Sequence, residues 1–574
     1  MKMKVLFVAL NSKYSHVNLA IRYMSNSIRD IKGIESDFLE FTINQKEDYI
    51  LWEILEAKAD IVCFSSYIWN INEILSLSES LKMGNESIKI LLGGPEVTFE
   101  SVELLNDNEF IDYVIKGEGE LPVREFFGKM SQGEDIDSVK GLTYRKNGAV
   151  VENANYGPIK DMAAIEYPYG IGESFKNKYV YYESSRGCPF NCSFCISSSI
   201  NGVSNLPLER VKDDLDKLLK TEANVIKFVD RTFNTDRKRA VEIINHIVKN
   251  NHKRMKIHFE ITAEILDDNM ISLINDLPED MFQFEIGVQS TNPYTLNAVN
   301  RKSDIVKLRD IVERIGAGNN VHRHLDLIAG LPEEDMESFG KSFNDVYNMK
   351  VEKIQLGFLK VLKGTEIRKN AEKYGIVYKK TAPYEVIKTD SMSSKELLYL
   401  KKIEELVDIF YNEHHFINSI EKLMTIYEPF EFFKTFCSYW ISEGLFDKPL
   451  KKSEMYGIIN DFALNVPGID ISAELIDDFL FNERNLDLPS FFDEIHEKEC
   501  LKFKHELLKS ENFRNKYFTG CEGIQNKRLV NRFRLVRNDD KYIAYIYGDK
   551  RNIFSRSIKI DVTDILEEEL NDIL

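Results

Sequence analysis

Short apolar runs alternate with amphipathic stretches over the first 138 positions. The runs at 4–9, 61–65, 88–92 and 113–116 are nearly continuous in apolar residues, as strands covered on both faces of a parallel sheet are. Between them, 18–30, 71–83 and 121–130 repeat apolar residues at helical spacing. This pattern predicts an open, Rossmann-like α/β domain over 1–138, whose ligands bind on the loops at 10–16, 66–70, 93–96 and 117–120. Residues 139–178 hold Gly, Pro, Asn and Tyr without a sustained period, and read as a hairpin and crossing segment that serve as a linker. A second alternation follows, with strands at 179–184, 225–229, 256–261, 282–287, 323–328 and 353–359 and helices such as 208–219 and 237–249. Six βα units predict a partial (β/α)6 barrel over 179–381, with its active site at the C-terminal strand ends. From 382 to 574 the pattern is mainly helical, ending in a short β region near 531–562.

The bulk composition narrows the partners. Of 574 residues, 43% are apolar and 29% charged, in the ordinary globular range. A formal net charge of −18 disfavours nucleic acid or an anionic membrane as the main partner, because both recruit an excess of Lys and Arg. No stretch approaches the roughly 18 apolar residues that a membrane-spanning helix needs. The N-terminal run stops at Leu10 and reads as a buried strand, not a signal peptide. The seven cysteines, three of them clustered, fit a reducing compartment better than a disulfide scaffold, so a cytoplasmic protein is expected.

That cluster carries the sharpest chemistry. The segment Glu183-Ser-Ser-Arg-Gly-Cys-Pro-Phe-Asn-Cys-Ser-Phe-Cys195 follows a predicted strand and places Cys188, Cys192 and Cys195 on one loop. Thiolates suit iron–sulfur clusters or zinc. A zinc site usually adds a fourth Cys or His at comparable spacing, and the neighbouring residues offer none. Three cysteines can hold three irons of a cubane and leave the fourth open to an amino acid's amine and carboxylate. The spacing Cys-x-x-x-Cys-x-aromatic-Cys after a first barrel strand resembles the radical S-adenosylmethionine (SAM) superfamily, in which a reduced 4Fe-4S cluster cleaves SAM to a 5'-deoxyadenosyl radical. The resemblance implies that Phe194 packs near the adenine.

Later segments resemble the coproporphyrinogen-dehydrogenase-like branch of that superfamily. Ile286-Gly-Val-Gln-Ser290, Asn300-Arg301 and Leu325-Asp-Leu-Ile-Ala-Gly-Leu-Pro332 match the positions whose Gln, Arg and Asp contact SAM, here Gln289, Arg301 and Asp326, and Glu260 matches a further SAM-binding carboxylate. The branch's Gly-Gly-Glu element is replaced by Val229-Asp-Arg-Thr-Phe-Asn234, where Asp230 is expected to take its place. In the N-terminal domain, Phe64-Ser-Ser-Tyr-Ile-Trp-Asn70, Leu91-Leu-Gly-Gly-Pro-Glu-Val97 and Lys116-Gly-Glu-Gly-Glu120 resemble the cobalamin-binding domain that some radical SAM enzymes carry. This implies corrinoid contacts at Asn11, His16, Ser65, Tyr67, Gly93, Gly94 and Glu118. The Asp-x-His-x-x-Gly loop that gives cobalt a lower ligand in many cobalamin proteins is absent; Asn11-Ser-Lys-Tyr-Ser-His-Val-Asn18 stands there instead.

Other tempting residues read as structural. Cys63 lies in an apolar strand, and Cys437, Cys500 and Cys521 are scattered without paired spacing. His322 and His324 are expected to pack or hydrogen-bond, and the aromatics at 430–440 to form a helical core. The whole pattern implies an enzyme with a 4Fe-4S cluster, SAM and cobalamin that methylates an unactivated carbon of a small molecule, served by an electron donor such as flavodoxin or ferredoxin. Cyclisation or rearrangement, or a non-enzymatic corrinoid or Fe–S carrier, are the alternatives. A carrier leaves Gln289, Arg301 and Asp326 without a purpose.

Overall fold

The computed structural model describes residues 2–170, 172–199, 202–492, 495–497, 500–518, 526–538, 540–547 and 557–571. Two compact units divide the chain: Met1–Phe339 with Leu356–Leu397, and Gly340–Gln355 with Leu398–Leu574. Among the described residues, no helix is long and apolar enough to cross a membrane.

The first unit opens with a sheet of β1 (Met3–Asn11), β2 (Ile34–Thr42), β3 (Ile61–Ser65), β4 (Lys89–Gly93), β5 (Tyr113–Ile115), β6 (Leu142–Lys146) and β7 (Ala149–Glu152), in the order β2-β1-β3-β4-β5-β6-β7. The first five are parallel, and β6 and β7 add antiparallel at the edge. Side chains alternate across β1. Val5, Phe7 and Ala9 enter the core under α1 (Leu19–Ile28) and α5 (Glu120–Gln132). Leu6, Val8 and Leu10 enter the core under α2 (Glu47–Glu56), α3 (Ile71–Gly84) and α4 (Ser101–Asp107). The chain reverses its direction of growth between β1 and β3, so their C-terminal ends open a crevice.

Two expectations change here. Strand β2 carries Glu35, Ser36, Asp37 and Glu40, and its side chains are only partly covered, so it shows no continuous apolar run. The hairpin of β6 and β7 lies in the stretch expected to be a linker but belongs to the sheet, tied in by Lys116 N donating to Gly141 O at 2.9 Å.

The second sheet comprises β8 (Tyr179–Tyr182), β11 (Val225–Phe228), β12 (Lys256–Ile261), β13 (Phe282–Gln289), β14 (His322–Ala329) and β15 (Lys353–Phe358), in the order β15-β14-β13-β12-β11-β8. The pairings from β8 to β14 are all parallel. A small hairpin, β9 (Ser185–Cys188) with β10 (Gly202–Asn205), interrupts the first crossover. Helix α6 (Leu208–Leu218) completes that crossover, and α7 (Arg237–Asn250), α8 (Asp268–Asn275), α9 (Pro293–Ala298) and α10 (Ile305–Gly316) fill later ones. Along β13, Phe282, Phe284, Ile286 and Val288 are buried, while Gln283, Glu285, Gly287 and Gln289 take the other face. Residues 382–397, expected in the C-terminal domain, stay with the first unit: Val361 N donates to Tyr384 O and Val386 N to Leu359 O, both at 2.9 Å.

The second unit packs helices such as Pro429–Ser442, Lys452–Leu464 and Ser472–Asn482 with a four-stranded antiparallel sheet of Ile495–His496, Phe533–Asn538, Lys541–Ile546 and Ile558–Asp561. Phe432, Phe433, Phe436, Cys437 and Trp440 are buried along one helix, and Cys500 is buried among apolar side chains. Cys521 lies outside the described residues.

Candidate functional site

Cys188 ends β9, and Cys192 and Cys195 follow it before β10, on a hairpin that only glycine can close. Gly187 has φ +88, and a Cβ there would stand 2.1 Å from Gly202 O. The loop beyond Cys188 is pinned by backbone: Ser193 N donates to Val299 O, Ile367 N to Ser193 O, and Asn300 Nδ2 to Asn191 O, each at 2.9 Å. Cys192 is buried, and Cys188 and Cys195 are half-buried. Burial pushes the Cys192 thiol up, Arg301 opposes this, and the other two thiols push it further up. A buried thiol of this kind deprotonates only against a cation, which is what the irons of a cluster provide. The set fits a 4Fe-4S cluster on one loop.

Asp230, expected among the SAM contacts, is placed differently. It is almost wholly buried, and accepts from Ser184 N at 2.9 Å, Ser184 Oγ at 2.6 Å and Ser185 Oγ at 2.5 Å. Both oxygens are used, so this carboxylate anchors the segment that leads into the cysteine loop. Asp230→Ala orphans three buried donors, and is expected to cost about 3 kcal/mol of stability and to lower the iron content of reconstituted protein. A thermal midpoint and iron content equal to wild type contradict that role.

At the strand ends Gln289, Arg301 and Cys192 meet. Arg301 Nη2 donates to Gly287 O, and Nη1 lies 3.7 Å from Cys192 Sγ. Arg301 Nε is buried with no hydrogen-bond partner among the described residues, which suits a guanidinium that awaits a ligand carboxylate. Gln289 has φ +73 at a bulge opposite β14, and a Cβ on Gly287 would stand 2.3 Å from Gln289 Nε2. Phe194 is half-buried on the cysteine loop.

The facing strands carry a row of charged groups. Glu260 pairs in register with Glu285, Glu285 with His324, and Gly287 with Asp326. Burial pushes Glu260 up to about 7, helped by Glu285 and Asp326 and opposed by Arg231 and Lys227. Burial also raises Asp326, against His324 Nε2 at 3.1 Å. Burial acts on Glu285 in the same sense, but His258 at 2.9 Å, with Lys227 at 3.3 Å and His324, holds its carboxyl well below the usual range. Carboxylates placed at these strand ends suit a sulfonium and an amine.

The Glu260 shift has a defined sign. The folded carboxyl holds its proton up to about pH 7, whereas the unfolded one releases it near 4.5, so stability from the protonated form is lost as pH rises through that window. Glu260→Gln is therefore expected to gain on wild type as pH rises, by roughly 3 kcal/mol above pH 7. Thermal midpoints of both ligand-free proteins at pH 5 and pH 8 check this; a gap that stays constant contradicts it.

Against the first sheet lies a cavity of about 800 Å3, lined by Asn11, His16, Ser65, Tyr67, Gly93, Gly94 and Glu118, all seven of the expected corrinoid positions. Tyr181, Glu183, Arg186, Gly187, Ile196, Ser197 and Arg231 line it from the barrel, so its wall reaches the cysteine loop. Gly94 has φ +112, and a Cβ there would lie 2.5 Å from Ser66 O, so the loop folds as it does only with glycine. Tyr67 and Trp69 stack with centroids 4.4 Å apart. His16 Nδ1 lies 3.3 Å from Ser12 Oγ and 3.2 Å from Tyr181 OH, and burial with nearby lysines lowers its pKa. Asn11 Nδ2 donates to His16 O, so Asn11 holds the loop that carries the histidine. Glu118 is committed in part, accepting from Ile159 N at 2.7 Å. Trp69, Tyr181, Arg186 and Arg231 were missed in the sequence; Arg186 and Trp69 stand inside the motifs but have no pattern of their own.

A doubly wound sheet with a strand-end cavity lies beside a parallel sheet with three thiols on its first loop, the arrangement expected of a radical SAM protein with a corrinoid-type domain. The comparisons agree: residues 5–127 match the B12 binding domain, 182–346 the Radical SAM superfamily and 372–539 a family described as protein of unknown function (DUF4080). The chain thus carries a radical SAM domain beside a B12-binding domain. It is 30% identical over 238 residues to an uncharacterized methyltransferase of Pyrococcus horikoshii, covering 39% of this chain and 51% of that one. It is 23% identical over 364 residues to the cobalamin-dependent radical SAM methyltransferase TokK of Streptomyces tokunonensis, covering 58% and 52%. The chain thus spans about half the length of these curated relatives. Its fold is similar to that of the radical SAM methyltransferase TsrM from Kitasatospora setae, with TM-score 0.56, 16% identity, and 67% of this chain and 76% of that one covered.

Proposed function

We propose that this chain is a cobalamin-dependent radical SAM enzyme that methylates an unactivated carbon of a small molecule. The observation that carries the reading is a cavity whose wall runs continuously from Gly93 and Gly94 to Gly187 and Ser197 beside the cysteine loop. Bound there, a reduced 4Fe-4S cluster supplies the electron that cleaves SAM, and a corrinoid supplies the methyl group. Cys188, Cys192 and Cys195 hold the cluster. Arg301 takes the SAM carboxylate and Gln289 a polar edge, while Glu260 and Asp326 face its positive charge and ribose. Phe194 packs on the adenine, and Ser65, Gly93 and Gly94 admit the corrinoid tail. A small electron-transfer protein such as flavodoxin or ferredoxin reduces the cluster.

Cluster-reconstituted protein, reduced anaerobically with SAM present, is expected to form 5'-deoxyadenosine. Full iron and sulfide content without that product overturns the reading.

A further inference from the structure

Arg186 lies on β9, two residues before Cys188. Its guanidinium meets three carboxylates: Nη2 stands 2.5 Å from Glu120 Oε1 and 2.9 Å from Glu183 Oε2, and Nη1 stands 3.2 Å from Glu120 Oε2 and 3.4 Å from Glu118 Oε2. Glu118 comes from the loop after the C-terminal end of β5, Glu120 is the first residue of α5, and Glu183 comes from the turn between β8 and β9. The arginine side chain is 11% exposed and the carboxylates 12%, 7% and 16%. All four side chains line the same cavity.

The arrangement has two consequences. It ties the loop of one domain to the segment that carries the cluster ligands of the other, through the fork geometry of one guanidinium, which a lysine's point charge does not reproduce. It also gathers three carboxylates around one cation at a cavity wall, so acceptor capacity is left for N–H donors of a cavity occupant. The edge of a corrin ring carries carboxamides, which are such donors.

We infer that Arg186 is a positioning residue: seated among Glu118, Glu120 and Glu183, it fixes the corrinoid side of the cavity relative to the cluster loop. This rests on the function proposed above. The geometry between the two centres then depends on one side chain of the cavity wall.

The test uses full-length protein loaded with cluster and hydroxocobalamin, then reduced to paramagnetic cobalt(II) and a paramagnetic cluster. The magnetic interaction between the two centres, read by electron paramagnetic resonance, reports their separation. Wild type is expected to give one uniform interaction. Arg186→Gln is expected to retain iron and corrinoid while the interaction weakens and spreads, and Arg186→Lys to fall between them. Methylated product per SAM cleaved should drop on the order of tenfold in Arg186→Gln, as misplacements of about 1 Å do. An interaction in Arg186→Gln identical to wild type overturns the inference while leaving the proposed function standing. A wild type that takes up no corrinoid overturns both. Where Arg186→Gln does not fold, Glu120→Gln, which removes the charge and one of the two oxygens that accept from Arg186 on the sheet side, is read against the same expectations.

Discussion

Cys192→Ala is expected to abolish the cluster and with it SAM cleavage, by more than about 10³-fold, because the cluster supplies the electron. Cys192 is the buried member of the triad and the one that Arg301 approaches. Its loss leaves two thiols, too few to retain a cubane, and removes the thiolate nearest the arginine assigned to SAM. The loop should survive the change, since Ser193 on either side of its peptide is held by Val299 and Ile367 through backbone groups. Cys63→Ala is the matched control. It deletes a thiol buried in β3, and is expected to cost about 1 kcal/mol of packing without loss of iron. Iron analysis, the visible absorbance of the cluster and 5'-deoxyadenosine formation check both variants. A Cys192→Ala protein that keeps iron and cleaves SAM contradicts the site.

Gly94→Ala is expected to weaken hydroxocobalamin binding by about tenfold or more and to leave cluster assembly intact. At φ +112 the alanine is strained by about 1–3 kcal/mol before any contact is counted. Its Cβ would also meet Ser66 O at 2.5 Å, a backbone atom that cannot swing aside. Ser66 N donates to Gly93 O at 2.7 Å, so relief of the clash moves the strand ends that line the cavity. Corrinoid titration with iron content measured in parallel separates this from general unfolding. Unchanged affinity means that the first sheet does not hold its ligand at Gly94.

Much of the architecture was legible because buried parallel strands read as apolar runs: β1, β3, β4 and β5 stand out, whereas β2, half covered and rich in Glu and Asp, does not. The site divides in the same way. The cysteines announce themselves through short spacing, but contact between Arg301 and Cys192 spans 109 positions and follows only from the fold. Asp230 shows the converse limit. Its place after a strand suggests a ligand contact, yet the hydroxyls of Ser184 and Ser185 take one of its oxygens and Ser184 N the other. Arg186 had no visible role in sequence, because two of its partners lie 66 and 68 positions away in another domain.

Methyl transfer through a corrinoid is tested most directly by the corrinoid dependence of S-adenosylhomocysteine. Reduced, cluster-loaded protein is given SAM with and without bound cobalamin, and both nucleoside products are quantified. The account predicts 5'-deoxyadenosine in both samples and S-adenosylhomocysteine only with cobalamin; cobalamin-loaded protein that yields 5'-deoxyadenosine and no S-adenosylhomocysteine contradicts it.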